Sequence, residues 1–314
     1  MGGGYQYSVD DEGSHSAGPD PWWQESVFVH WYDATHKVGG VHRIGHEPHA
    51  NGGEAAVQCF VFDAYSSYRR VGRVPLLPAE TERGFRAAGS TWDIEDGLPR
   101  VRVKEDGLEL DLRIDNFYPL TDFFPSSGSM VDDFAKHHYE TSGRARGTAS
   151  INGREYVVDA LCHRDHSWGP RRWDMLLSHR WVSGSLGPEL SFGSMAWHAI
   201  DDSTVSIGYI VREGELILAE SVDIVTFMET DAMTHRGGIL TLNLPGGEQL
   251  RAHCTVVNGV VTTNHGVYWV DSLCEVTMDD GRTGFCDFEI STNPRAGTRE
   301  VKVAKHAAIN DGWS

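Results

Sequence analysis

Read for the spacing of apolar and polar positions, the chain is a succession of short alternating runs. From Glu25 onward, Val27, Val29 and Trp31 alternate with Ser26, Phe28, His30 and Tyr32. Both registers carry apolar side chains, which predicts a strand covered on both faces. The pair Gly39-Gly40 is expected to turn the chain into a second run at 41–44. Further strand-like runs lie at 55–62, 91–95, 100–104 and 108–114, separated by Asn51-Gly52-Gly53, Glu95-Asp96-Gly97 and Glu105-Asp106-Gly107. Asn-Gly and Asp-Gly between alternating runs are strong hairpin signals. Residues 116–136 are irregular, suited to a crossover loop or a flap. Runs 137–149 and 154–161 read as extended around Asn152-Gly153. In the second half, strands are expected at 190–200, 205–211, 215–228, 239–244, 249–257, 260–278 and 284–290. Turns fall at Gly187-Pro188, Glu213-Gly214, Gly246-Gly247, Asn258-Gly259 and Asp280-Gly281. Only 129–140 and 299–308 have the spacing of a short amphipathic helix.

Many short strands with frequent turns mean an antiparallel all-β protein, barrel or sandwich. At 314 residues two such units fit better than one, with the break near 150–170. Residues 1–20 are rich in Gly, Ser and Asp and have little to bury, so a mobile tail is expected there. The expected units are then 21–165 and 166–314. At their junction stands Cys162-His163-Arg164-Asp165-His166-Ser167-Trp168-Gly169-Pro170-Arg171-Arg172-Trp173. Gly169-Pro170 interrupts this run, which predicts a turn between two strands with charged and aromatic groups at the corner.

Composition narrows the partners. With 27 Lys+Arg against 45 Asp+Glu the formal charge is −18, unsuited to nucleic acid or an anionic membrane surface. No apolar run is long enough for a membrane-spanning helix. The start of the chain lacks the pattern of a signal peptide, and five scattered cysteines without a CxxC pair suggest reduced thiols. A cytoplasmic protein is expected, with a homodimer kept open as its assembly.

The chain has no GxGxxG, GxxxxGK[ST], GxSxG or HExxH pattern, so nucleotide-binding and serine-hydrolase readings have no foothold. Sixteen histidines raise the question of a metal, but no convergent ligand set can be assembled from sequence, and neither metal nor cofactor is expected. His42, His46 and His49 read as a solvated loop. Acid–base chemistry suits the junction better. A carboxylic acid among tryptophan faces and withdrawn from water holds its proton toward neutrality, and aromatic faces stabilise a cation. Asp165 is thus the candidate acid, with His166 or His163 as proton partner and Arg164 or Arg171 to orient it. Trp168, Trp173 and Trp181 would supply apolar surface. Glu25 and Asp33 are reserve acids; Trp23, Trp31, His198 and Tyr209 are further candidates for lining a hydrophobic ligand's cavity. The competing reading of the same residues is an Asp–Arg pair and buried tryptophans that pin a β-corner.

The run His163-Arg164-Asp165-His166-Ser167-Trp168-Gly169-Pro170-Arg171, with Trp23-Gln24-Glu25-Ser26 and Trp31-Tyr32-Asp33, resembles the AttH/carotenoid 1,2-hydratase-like superfamily, in its branch with an RDHSWG signature. The likeness spans about residues 20–295. It implies two lipocalin-like, calycin-type antiparallel β-barrel domains packed together. It also implies apolar, unsaturated, isoprenoid-like substrates, handled by hydration, dehydration or cyclisation without a redox cofactor. A non-catalytic carrier of a hydrophobic metabolite is the alternative such barrels allow.

Overall fold

A computed structural model describes residues 6–76, 84–122, 134, 136–201 and 203–293, and the backbone of 309–313. The chain divides into two compact units, Met1–Arg172 and Trp173–Ser314. Among the described residues there is no α-helix. Tail 294–308, with its expected helix at 299–308, and most of the irregular segment 116–136 lie outside them.

The first unit is one sheet of eleven strands: β1 (Trp23–Asp33), β2 (Val38–Glu47), β3 (Glu54–Phe62), β4 (Ser67–Pro75), β5 (Phe85–Ala87), β6 (Ser90–Glu95), β7 (Leu98–Glu105), β8 (Leu108–Asn116), β9 (Thr121–Asp122), β10 (His137–Ile151) and β11 (Arg154–Pro170). Their order is β4-β3-β2-β1-β11-β10-β8-β7-β6-β5, with β9 on β10. The first strand thus pairs with the last, and β5 folds back toward β2 and β3, which curls the sheet into a barrel. Trp31, Trp92, Phe85, Leu110, Leu112 and Ile114 fill its interior. A cavity of about 10 Å³ lined by His42, Ile44, Gln58 and Trp92 has room for no more than a water.

The second unit repeats the arrangement with ten strands: β12 (Leu176–Gly187), β13 (Leu190–Ala199), β14 (Thr204–Arg212), β15 (Glu215–Leu218), β16 (Ser221–Met228), β17 (His235–Asn243), β18 (Gln249–Asn264), β19 (Val267–Met278), β20 (Thr283–Thr292) and β21 (Ile309–Trp313). The order is β15-β14-β13-β12-β20-β19-β18-β17-β16-β21, and again the first strand meets the last antiparallel one. β21 runs parallel to β16, the one departure from antiparallel pairing among the described strands.

Three expectations change. The junction run is not a corner: residues 154–170 are the single strand β11, wholly within the first unit, so the division falls after Arg172 rather than after residue 165. Gly169 accommodates a φ of +125° that a side chain would resist, and Pro170 ends the strand past the last β10 pair, where a missing N–H costs little. Gly39 and Gly40 lie inside β2, packed under Trp31 and Phe60. Residues 8–15, expected to be mobile, carry a capped 3₁₀ turn (Val9–Glu12) with Glu12 buried.

Candidate functional site

Register sorts the predicted residues onto two faces of the first sheet. Opposite residues of an antiparallel pair share a face and successive ones alternate. Away from the hydrophobic core, Arg43, Phe28, Asp165 and Glu140 form one row across β2, β1, β11 and β10. Beside it run the rows Val41-His30-His163-Ser142 and Gly45-Ser26-Ser167-His138. Toward the core the rows are His46-Glu25-Trp168-His137, Ile44-Val27-His166-Tyr139 and His42-Val29-Arg164-Thr141. Asp165 and His163 therefore share a face, as their i, i+2 spacing predicts. His166, Arg164 and Trp168 point the opposite way and do not surround Asp165.

On the outer face, Asp165 is buried directly across from Glu140. Burial, reinforced by the charge of Glu140, pushes the Asp165 carboxyl up to about 7 against the pull of Arg171, Arg43 and Arg164. His163 Nε2 lies 3.1 Å from Glu140 Oε2 and its Nδ1 2.8 Å from Ser142 Oγ. Burial, with Arg164 nearby, holds His163 down to about 3, so its imidazole is neutral. It then donates to Glu140 through Nε2 and accepts the Ser142 hydroxyl at Nδ1. His138 Nε2 stands 3.5 Å from Glu140 and 3.9 Å from Asp165. Burial and the Arg171 charge hold this histidine well below its usual range as well. Arg171 donates to Ser167 Oγ on the same face. Glu140 and His163 are sealed from solvent, whereas Asp165 and His138 each keep 12% of their side-chain surface accessible. Chemically, this is a carboxylic acid poised to give up a proton beside an oriented carboxylate.

On the inner face, at one end of the barrel, Arg164 forms a bidentate pair with Glu12, at 2.5 and 2.9 Å. Tyr139 donates to the same carboxylate at 2.7 Å. Glu25 accepts from the backbone N–H of His15 and lies 2.6 Å from His15 Nδ1 and 2.9 Å from His166 Nε2. Burial opposes its ionisation, but the hydrogen bonds from His15 and His166 prevail, and Glu25 sits below the ordinary carboxylate range. Trp168 is sandwiched between His15, at 3.9 Å, and His137, at 4.9 Å, and clusters with Trp23 and Tyr139. His42 and His46 are buried strand residues rather than a solvated loop, while exposed His49 binds Gly18 O.

The remaining candidates scatter. Asp33 ends β1, where it accepts from the N–H groups of Thr35, His36 and Asp159; eight residues of strand put it roughly 26 Å from Glu25, so it is a turn-former. Trp31 is interior core. Trp173 and Trp181 belong to the second unit, where Trp173 packs edge-on against Trp269 at 4.9 Å. Tyr209 lies over Gly193 on the outer face of the second sheet, and His198 faces the other side. That sheet carries a buried polar set that sequence reading missed: His179 bonds Ser291 and lies 2.7 Å from Glu289, beside Asp271 and Asp287. Burial, with Asp271 and Glu289 adjacent, raises Asp287 well above its usual range.

Glu140 was also missed, although a signal existed. Asn152 and Gly153 take positive φ values and make a two-residue hairpin, and Glu140 and Asp165 stand equally far from it. Glu12, His15 and Tyr139 had no such signal beyond the Ser8–Asp11 capping pattern.

Among solved structures the chain is similar to a candidate AttH from Nitrosomonas europaea, with a TM-score of 0.68 and 13% identity over 93% of this chain and 97% of that one. It is similar to CghA crystallised with Sch210972 (0.60; 13%; 86% and 88%) and to kievitone hydratase from Nectria haematococca (0.58; 10%; 85% and 88%). These proteins belong to the AttH/carotenoid hydratase-like superfamily, and at such identities the likeness establishes the fold, two lipocalin-like halves. No curated protein sequence matches the chain. A family model described as a domain of unknown function, DUF7064, matches residues 8–294, and the chain is a member of that family.

Proposed function

We propose that the protein is a lyase or isomerase acting on a double bond of an apolar, terpenoid or prenylated phenolic substrate, with Asp165 as the acid. What carries the reading is the placement of Asp165 across from Glu140 on one buried face, with Asp165 and His138 the members still accessible. Buried carboxylates paired across neighbouring strands do not both ionise readily, and the charge of Glu140 helps to keep the proton on Asp165. Asp165 gives its proton to one alkene carbon, and the adjacent carbon becomes cationic. Water then adds and returns a proton to the carboxylate pair, or a neighbouring C–H proton is lost to that pair, or a second double bond closes a ring and the new cation it leaves is quenched by one of those two steps. Glu140, held by His163, takes the role of proton partner that the sequence assigned to His166 or His163. The neighbouring folds of kievitone hydratase and CghA are consistent with chemistry of this class.

A carrier that holds its ligand inside the first barrel is disfavoured, because that interior is packed with side chains. The test is turnover of a panel of prenylated and terpenoid alkenes and alcohols by the wild-type protein and by Asp165→Asn. General acid catalysis is worth about 10²–10⁴ in rate, and the variant is expected to lose that much. A folded Asp165→Asn protein with wild-type turnover rules the assignment out.

A further inference from the structure

We infer that the end of the first barrel is a binding site for one divalent transition-metal ion, held by His15, Glu25 and His166. Nδ1 of His15, a carboxylate oxygen of Glu25 and Nε2 of His166 all lie within 4.8 Å of one another. They come from three separated parts of the chain: the segment before β1, β1 itself and β11.

Hydrogen bonds around them orient these donors toward one another. Tyr139 spends its single hydroxyl proton on Glu12, so toward His166 its oxygen accepts, and Nδ1 of His166, 3.1 Å away, is the donor. With Nδ1 turned toward Tyr139, Nε2 of His166 is the nitrogen that faces the Glu25 carboxylate, at 2.9 Å. A metal ion can take the place of the proton shared between them. Two imidazoles and a carboxylate are the nitrogen–oxygen set that suits zinc and its first-row neighbours. Metal–ligand bonds of about 2.0–2.2 Å need only sub-ångström spreading of these donors.

The surroundings have the form of an outer shell. His166 is oriented by the Tyr139–Glu12 relay, and the His15 ring is fixed by stacking on Trp168. Glu12 is neutralised by Arg164, so Glu25 contributes the net negative charge nearest the donors. His15 retains 26% of its side-chain surface, which gives an ion a way in and leaves a coordination position toward solvent. Asp165 projects from the other face of β11, so this site and the proposed acid are tested independently.

The experiment is metal analysis of the untagged protein after exposure to excess Zn²⁺ or Co²⁺ and desalting. About one ion per chain is expected, with visible cobalt absorption and a zinc-dependent rise in Tm. His15→Ala, outside the strands, should stay folded by circular dichroism yet lose the ion, the absorption and the Tm shift; Asp165→Asn should keep all three. Wild-type protein that retains under about a tenth of an equivalent, or His15→Ala that binds as wild type does, overturns the site. The first outcome would leave a proton as the bridging cation.

Discussion

Glu12 and Arg164 meet away from water, with Tyr139 and Asn116 completing their hydrogen bonds. Such a pair adds little over an apolar substitute, but removing one partner strands the other charge at a cost of about 3–5 kcal/mol. Glu12→Gln should therefore lower the denaturant midpoint by that equivalent, and an unchanged midpoint would mean that Arg164 finds another partner. The buried histidines set a second expectation. His42 and His163 are each held down to about 3 by burial, against an ordinary value near 6.5. Between those values the unfolded chain binds protons that the folded chain refuses, so stability is full above about pH 6.5 and is lost as pH falls toward 3. Denaturation followed across this window should show the decline; His42→Gln should flatten it. At this scale the sequence told which residue types matter but not their partners. Asp165 was legible as an unusual acid, whereas Glu12 and His15 sit in a stretch whose composition reads as tail.

Strand pairing explains both the successes and the misses. Hairpins marked by Asn152-Gly153, Asp96-Gly97 and Asp106-Gly107 formed where expected: both residues of the first two pairs adopt the positive φ values of a two-residue turn, and in the third Gly107 alone does. Asn258-Gly259 instead became an irregularity within β18, and the turn moved to His265-Gly266. The strand expected at 154–161 stopped short of the junction run, which Gly169-Pro170 made read as a turn, and with it went the register that separates Asp165 from His166. Gly40 shows why a glycine pair need not mean a turn. A Cβ there would stand 2.6 Å from Phe60 O, in a strand flanked on both sides. Gly40→Ala should destabilise the protein by about 1–3 kcal/mol through overpacking, measurable by thermal or chemical unfolding. A neutral result would show that β2 and β3 can part at that point.

Across the whole chain, two units with the same strand order each close their first strand on a late one, and in each that closing strand carries a buried aspartate on its outer face: Asp165 on β11 and Asp287 on β20. The formal charge of −18 disfavours a polyanionic ligand. Two β units were readable from turn spacing; their boundary was not, since it depends on a strand that runs through a Gly-Pro pair. The central claim, that Asp165 protonates an unsaturated substrate, is tested most directly by isotope uptake. Substrate and protein are incubated in D₂O with H₂¹⁸O, and products are read by mass spectrometry for the wild type and Asp165→Asn. Deuterium bound to carbon, with ¹⁸O added if water is the nucleophile, and loss of both labels in the variant, is the predicted result. Substrates that bind yet emerge unlabelled and unchanged from the wild-type protein would contradict it, and would make this chain a carrier.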